Sequence, residues 1–259
     1  MQQSAAERRS QIAQLVMENG KVLVAHLVKK FRVSETSIRR DLTLLEREKR
    51  LKRIHGGAVP IPDSLRTDTF VEKEKLHIKA KERIGKAVVD MINQGDIILL
   101  DSGTTTLQIV RNIPLTLQMN SYITLVTNSI PIAQEVLTWP SPNLTILGGI
   151  FLSDYQATVG PQTIEQLKEL TADVAFLGAD GLILEGGATT ANILMAEVDR
   201  MMVERSRKAV LVTDSSKIGR AGFVPIKPIA SFNVIITDSD APPDFVEAVK
   251  NMGVEVVLV

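Results

Sequence analysis

The chain has 259 residues, 44% of them hydrophobic, with 30 Lys or Arg against 30 Asp or Glu and no cysteine. That length and apolar content suffice for a sizeable core in about two domains, and the lack of cysteine excludes a disulfide framework, a thiolate metal site and a cysteine nucleophile. No apolar run approaches the roughly 20 residues that cross a bilayer, and the polar start Met-Gln-Gln-Ser-Ala-Ala-Glu does not read as a signal peptide. A cytoplasmic location and no membrane partner are therefore expected. His26, His55 and His77 make no ligand spacing, so neither a metal nor a cofactor is expected.

Ile12, Leu15 and Val16 mark a first helix that ends near Asn19 and Gly20, and the apolar run from Val22 to Phe31 predicts a second, followed by a tight turn at Arg32 and Val33. A third helix opens at Ser34-Glu35-Thr36-Ser37-Ile38-Arg39-Arg40-Asp41. Ser34 is placed to cap it, and Ile38, Leu42 and Leu45, spaced by four and three, form its inner stripe. Glu35, Thr36, Ser37, Arg39 and Arg40 then fall largely on the other faces. Short polar side chains near such an N-terminus reach base edges, and guanidinium groups reach phosphate or guanine; an ordinary amphipathic surface helix would show the same stripe. Leu51 to Val59 reads as a basic strand with Lys52 and Arg53, a turn at His55 and two glycines, and an apolar return, which is a hairpin signal. The order is that of a winged helix-turn-helix over residues 1–58. Residues 1–58 hold 13 Lys or Arg against 6 Asp or Glu, a net +7, which leaves −7 on the rest of the chain. A basic head on an acidic body suits double-stranded DNA at one end only.

Pro60, Pro62 and the polar run from Asp63 to Thr69 break periodicity, so residues 59–77 read as a linker. Lys73 to Lys86 is charge-rich and leads into a helix ending near Gly95. The body, residues 78–259, alternates short apolar runs with helical stretches. The runs are Ile97–Leu100, Thr124–Thr127, Leu144–Leu147, Val174–Leu177, Ala209–Thr213, Val234–Thr237 and Glu255–Val259; helices are expected at Ile130–Leu137, Ile193–Arg207 and Phe245–Met252. That pattern specifies an α/β fold with a mostly parallel sheet covered on both faces.

Ligands in such folds bind beyond the carboxyl ends of strands. The first strand runs into Asp101-Ser102-Gly103-Thr104-Thr105-Thr106, hydroxyls and a glycine at a helix start, a plausible phosphate cradle or simply a capped turn. Thr127-Asn128, Gly148-Gly149, Gly178-Ala179-Asp180 and Asp214-Ser215-Ser216-Lys217 close later strands. Asp101 and Asp180 are candidates to accept from ligand hydroxyls, and Lys217 to hold a phosphate.

These residues carry a resemblance over nearly the whole chain. The head resembles that of the DeoR family of bacterial repressors of sugar metabolism through Ser34 to Leu42, Leu45-Glu46 and Ile54-His-Gly-Gly-Ala58. The body resembles the family's sensor domain through Leu100 to Thr106, Thr127-Asn128, Gly148-Gly149, Phe176 to Gly181 and Thr213 to Lys217. The resemblance implies a transcriptional regulator, usually a repressor, whose sensor binds a phosphorylated sugar and thereby loosens operator DNA, working as a homo-oligomer, a dimer or tetramer. It adds Asn192 and Glu197 to the effector residues, although Asn192 could equally cap a helix and Glu197 lie on a solvated face. Two departures bear on the ligand: Leu152 and Ala157 stand where many members carry a basic residue and a serine, and Ile193-Leu-Met-Ala stands where acidic residues are common.

The resemblance also implies a body related in fold to ribose-5-phosphate isomerase, and with it the rival reading of a sugar-phosphate isomerase bearing a DNA-binding head. That enzyme places acids where this chain has Leu177 and Gly181, and its lysine is missing from Leu182 to Ala188. Proton shuttling needs a positioned base and a polarising cation, so binding without catalysis is expected. A third reading is a DNA-binding scaffold with an empty body.

Overall fold

The computed structural model describes residues 5–47, 50–60, 68–119 and 122–259. Pro62 and residues 63–67 of the expected linker lie outside them. The chain divides into two compact units between Asp68 and Thr69.

The first unit runs α1 (Ala5–Asn19), β1 (Val22–Leu23), α2 (Val24–Phe31), α3 (Glu35–Arg47), β2 (Lys52–Ile54) and β3 (Gly57–Val59). Ile12, Val16, Leu27, Ile38, Leu42 and Leu45 are fully buried together, so the expected inner stripe of α3 is the face that packs on α1 and α2. Truncating any one of these leucines leaves a cavity that costs about 2 to 5 kcal/mol. Arg32, with φ 52°, reverses the chain between α2 and α3. Two details differ from the sequence reading. Val22–Leu23 is not the start of a helix but a short strand against Ala58 and Gly57, giving an antiparallel sheet in the order β1-β3-β2. The hairpin turns at His55-Gly56, and Gly57 belongs to β3, where a Cβ would stand 2.2 Å from the Val22 carbonyl oxygen.

The second unit begins with α4 (Phe70–Lys75), α5 (Ile78–Val89), β4 (Ile97–Leu100), α6 (Thr104–Asn112), α7 (Leu115–Gln118), β5 (Thr124–Thr127), α8 (Ile130–Val136) and β6 (Leu144–Ile146). A hairpin of β7 (Ile150–Leu152) and β8 (Ala157–Val159) follows, then α9 (Pro161–Lys168), β9 (Ala172–Leu177), β10 (Gly181–Ile183), β11 (Gly187–Thr190) and α10 (Ile193–Glu204). It ends with β12 (Ser206–Val212), β13 (Val224–Lys227), β14 (Val234–Thr237), α11 (Pro243–Asn251) and β15 (Glu255–Leu258).

Seven strands form one parallel sheet in the order β15-β14-β12-β9-β4-β5-β6. Its strands are apolar on both faces because both are covered. Ile98 and Leu100 of β4 pack with Ile84, Val88, Leu107 and Val110 of α5 and α6. Leu99, between them, points the other way, into the layer of Leu167, Val198, Met202 and Phe245 from α9, α10 and α11. The chain starts in the middle at β4, steps outward to β5 and β6, then returns to β9 on the other side. The crevice beyond β4 and β9 is therefore a topological switch point. The charge-rich segment expected as one helix from Lys73 is two, α4 and α5, broken at Leu76-His77, where His77 has φ 52°. The small antiparallel sheet β10-β11-β13 was not expected either; its strands are only three or four residues long.

Candidate functional site

In the first unit, Ser34 Oγ accepts from the Ser37 amide at 3.2 Å and caps α3. Ser34, Glu35, Thr36, Arg39 and Arg40 are exposed, and Ser37 is half-buried. Arg39 pairs with Glu35 at 2.6 Å, but both are more than half exposed, so water and a competing anion can readily replace the pair. Asp41 of the same motif turns inward, accepts from Arg8 at 2.7 Å and lies 3.8 Å from Arg9, fixing α1 against α3. On the wing, Lys52 and His55 are exposed. The Arg53 guanidinium donates to Thr43 Oγ1 at 2.7 Å and its amide to Glu46, so Arg53 ties the wing to α3.

In the second unit a cleft opens at the switch point. Of the expected effector residues, Asp101, Ser102, Gly103, Thr104, Thr105, Asp180 and Lys217 line it. Thr104 and Thr105 sit in the first turn of α6, whose leading amides have no acceptor inside the helix. Lys217 arrives from the turn after β12.

Three lysines line this cleft, two of them on the charge-rich segment from Lys73 to Lys86. Lys73 of α4 pairs with Asp180 Oδ1 at 2.5 Å and stands 5.4 Å over the Tyr155 ring. Lys81 of α5 is almost wholly buried and donates to the Lys73 carbonyl at 2.5 Å. Burial pulls the Lys81 ammonium down to about 8, with Lys217 and Lys73 acting in the same direction against Asp214. Burial pushes Asp180 up, yet Lys73 beside it and the Ala191 amide hold it at about 2. The only sequence signal for Lys73 and Lys81 was their spacing of eight in a basic stretch.

Several expected site residues serve the scaffold instead. Asp101 does not offer its oxygens to a ligand: Oδ1 accepts from the Gly103 amide at 2.8 Å and Thr106 Oγ1 at 2.7 Å, and Oδ2 from the Gly178 amide at 2.6 Å. It joins the end of β4 to the end of β9. Burial pushes its carboxyl up against the pull of those three donors. Thr106 is spent on Asp101 and the Gly103 carbonyl. Thr127 Oγ1 donates to the Leu100 carbonyl, Asn128 Nδ2 to the Thr158 carbonyl, and Gly148 exchanges bonds with Gln166 and Thr163. Gly149 is needed for close packing, since a Cβ there would lie 2.2 Å from Thr163 Oγ1. Asn192 caps α10 through the Leu194 and Met195 amides, and Glu197 is exposed. None of Thr106, Thr127, Asn128, Gly148, Gly149, Asn192 or Glu197 lines the cleft.

A winged helix-turn-helix followed by an α/β unit with a cationic cleft defines a DNA-binding regulator with a sensor-like body. A family model described as the DeoR C-terminal sensor domain matches residues 76–239, and one described as the DeoR-like helix-turn-helix domain matches residues 8–63. The chain is 34% identical to the HTH-type transcriptional regulator GlpR of Haloferax volcanii, over 97% of each chain. It is 34% identical to a putative aga operon transcriptional repressor of Escherichia coli, over 98% of this chain and 94% of the relative. With the glycerol-3-phosphate regulon repressor of Escherichia coli it shares 27% identity over 97% and 98%. Among solved structures, ribose 5-phosphate isomerase A of Methanocaldococcus jannaschii matches 53% of each chain at 17% identity with a TM-score of 0.39. The chain belongs to the DeoR family of DNA-binding transcriptional regulators. No helix among the described residues is long and apolar enough to cross a membrane.

Proposed function

We propose that this regulator is a repressor of carbohydrate-utilisation genes that leaves its operator when a phosphorylated sugar occupies the cleft of the body. The observation that carries the reading is that Lys81 and Lys217 line one cleft together with Thr104 and Thr105 of the first turn of α6. Helix amides, hydroxyls and ammonium groups together make an anion site, and a phosphate there would favour the charged form of Lys81, which burial disfavours. The names of the full-length relatives above support a sugar-linked regulon.

The chain acts in the cytoplasm as a homodimer or tetramer that sets two α3 helices into successive major grooves of an operator with repeated half-sites. Thr36, Ser37, Arg39 and Arg40 face the groove while Lys52 and His55 approach the backbone. Effector reaches DNA affinity through α4, the first helix of the body: a ligand anion draws Lys73 from Asp180 and shifts that helix. A coupling of roughly 1 to 3 kcal/mol alters affinity about 5- to 150-fold. The body binds without turning over, because Asp180 is ion-paired and Leu177 and Gly181 stand where the isomerase has acids. Fluorescence anisotropy with DNA from upstream of the chain's own gene, at two salt concentrations and with a panel of sugar phosphates, tests this. Release by one compound is expected; DNA binding indifferent to every phosphate ester would refute the coupling. Arg40→Ala should weaken operator binding about tenfold and lower the salt slope by about one.

A further inference from the structure

One part of the cleft is built differently from the lysine side. Met195 and Asp199, one turn apart on α10, line it from the same helix face, and Thr213 lines it from the end of β12. Asp199 is 3% exposed and Thr213 1%. Asp199 Oδ1 and Thr213 Oγ1 are both fully buried, and neither has a hydrogen-bond partner. Buried polar atoms are normally paired, and leaving one unpaired is destabilising. Among the described residues Asn128 Oδ1 and Thr237 Oγ1 are unpaired too, but only Asp199 and Thr213 belong to the lining of the cleft.

The surroundings do not supply what Asp199 lacks. The charges that act on it are Asp101 and Asp180, which repel, and the adjacent Arg200. The Arg200 guanidinium, however, is committed to the carbonyls of Pro225 and Ile226 on β13. Lys73 and Lys217 act on Asp180 instead. Hence the cleft holds lysine ammonium groups, where an anion fits, together with two buried polar atoms, on Asp199 and Thr213, that have no hydrogen-bond partner in the protein.

We propose that Asp199 and Thr213 are the specificity-determining residues of the effector site, receiving a hydroxyl or ammonium group that the ligand carries away from its phosphate. The assignment rests on the sugar-phosphate reading of the cleft and deepens it. It makes the effector a molecule with two recognition ends, in which inorganic phosphate satisfies only the first. A neutral polyol phosphate and an amino-sugar phosphate both supply the donor; the ammonium would also ionise Asp199, and so gain more from it.

The test is calorimetric titration of the full-length protein, wild type and the variants Asp199→Asn and Thr213→Val, with inorganic phosphate, glycerol 3-phosphate, ribose 5-phosphate, glucose 6-phosphate and glucosamine 6-phosphate. At least one ester should bind wild type about tenfold or more tightly than inorganic phosphate. Each variant should lose about that factor, with phosphate itself unchanged. A preference for glucosamine 6-phosphate over glucose 6-phosphate that disappears in Asp199→Asn identifies the donor as ammonium; equal losses for neutral esters identify a hydroxyl. Failure of every ester to outbind phosphate, or equal loss of phosphate and ester in the variants, would overturn the assignment. Absence of phosphate binding in wild type would remove the sugar-phosphate reading itself. Melting of the unliganded proteins gives a readout independent of ligand choice. Asp199→Leu, which removes the orphaned carboxyl, should raise the melting temperature by about 2 to 4 °C, whereas a residue that merely holds the fold would lower it.

Discussion

The strand ends on the two sides of β4 are alike in composition and opposite in use. After β5 and β6 come Thr127-Asn128 and Gly148-Gly149, whose polar groups bond Leu100, Thr158, Gln166 and Thr163. After β9 and β12 come Gly178-Ala179-Asp180 and Thr213-Asp214, which line the cleft. Topology makes the difference. The β7–β8 hairpin and α9 lie over the ends of β5 and β6 and close them, whereas beyond β4 and β9 the crossovers diverge and leave room. A polar strand end is thus a ligand site only where the chain path separates.

That contrast can be broken most severely at the joint between the two sides. Asp101→Ala leaves the Gly103 and Gly178 amides and Thr106 Oγ1 without their acceptor, and should cost about 3 kcal/mol or more in chemical denaturation and abolish effector binding. On the cleft side, Lys217→Ala should lower phosphate affinity by about 10- to 100-fold in titration calorimetry while leaving the melting temperature within a degree or two. On the closed side the signature reverses. Gly149→Ala drives a Cβ to 2.5 Å from the Val159 carbonyl oxygen, so it should lose about 1 to 3 kcal/mol of stability with effector affinity unchanged in the folded fraction. The smallest effect concerns acid. Asp180 is held at about 2, below its ordinary 3.8, so its pairing stabilises the fold above pH 4 and is lost as pH falls toward 2, about 2 kcal/mol at most. Acid titrations of wild type and Asp180→Asn should diverge in that interval and run parallel above it.

Much of this architecture is legible in the residues. The seven runs from Ile97 to Val259 all become strands of one sheet; in its inner strands burial on both faces favours Val, Ile and Leu in unbroken stretches, while the edge strands β6 and β15 are partly exposed. The inner stripe of α3 follows from its spacing. Val22–Leu23 and the strands β7, β8, β10, β11 and β13 escape such reading: they are two to four residues long and lie in small antiparallel sheets outside the parallel one. The site is less legible. Asp101 and Lys217 look alike as polar groups after strands, and both line the cleft, yet both carboxylate oxygens of Asp101 are engaged, one of them by the amide of Gly178, 77 residues beyond. Lys73 and Lys81 are hidden in a segment whose charge suggests solvent. Asp199 is hidden in a helix, where nothing in its neighbours' identities says that Arg200 turns away to β13.

The Asp101 to Gly178 bond also sets an order of events during synthesis. The head is complete once Pro60 has left the ribosome, but the cleft cannot close until Gly178 follows, 118 residues later. At about 5 to 20 residues per second that lag is roughly 6 to 24 s. For that interval each nascent chain holds a finished DNA reader and no sensor.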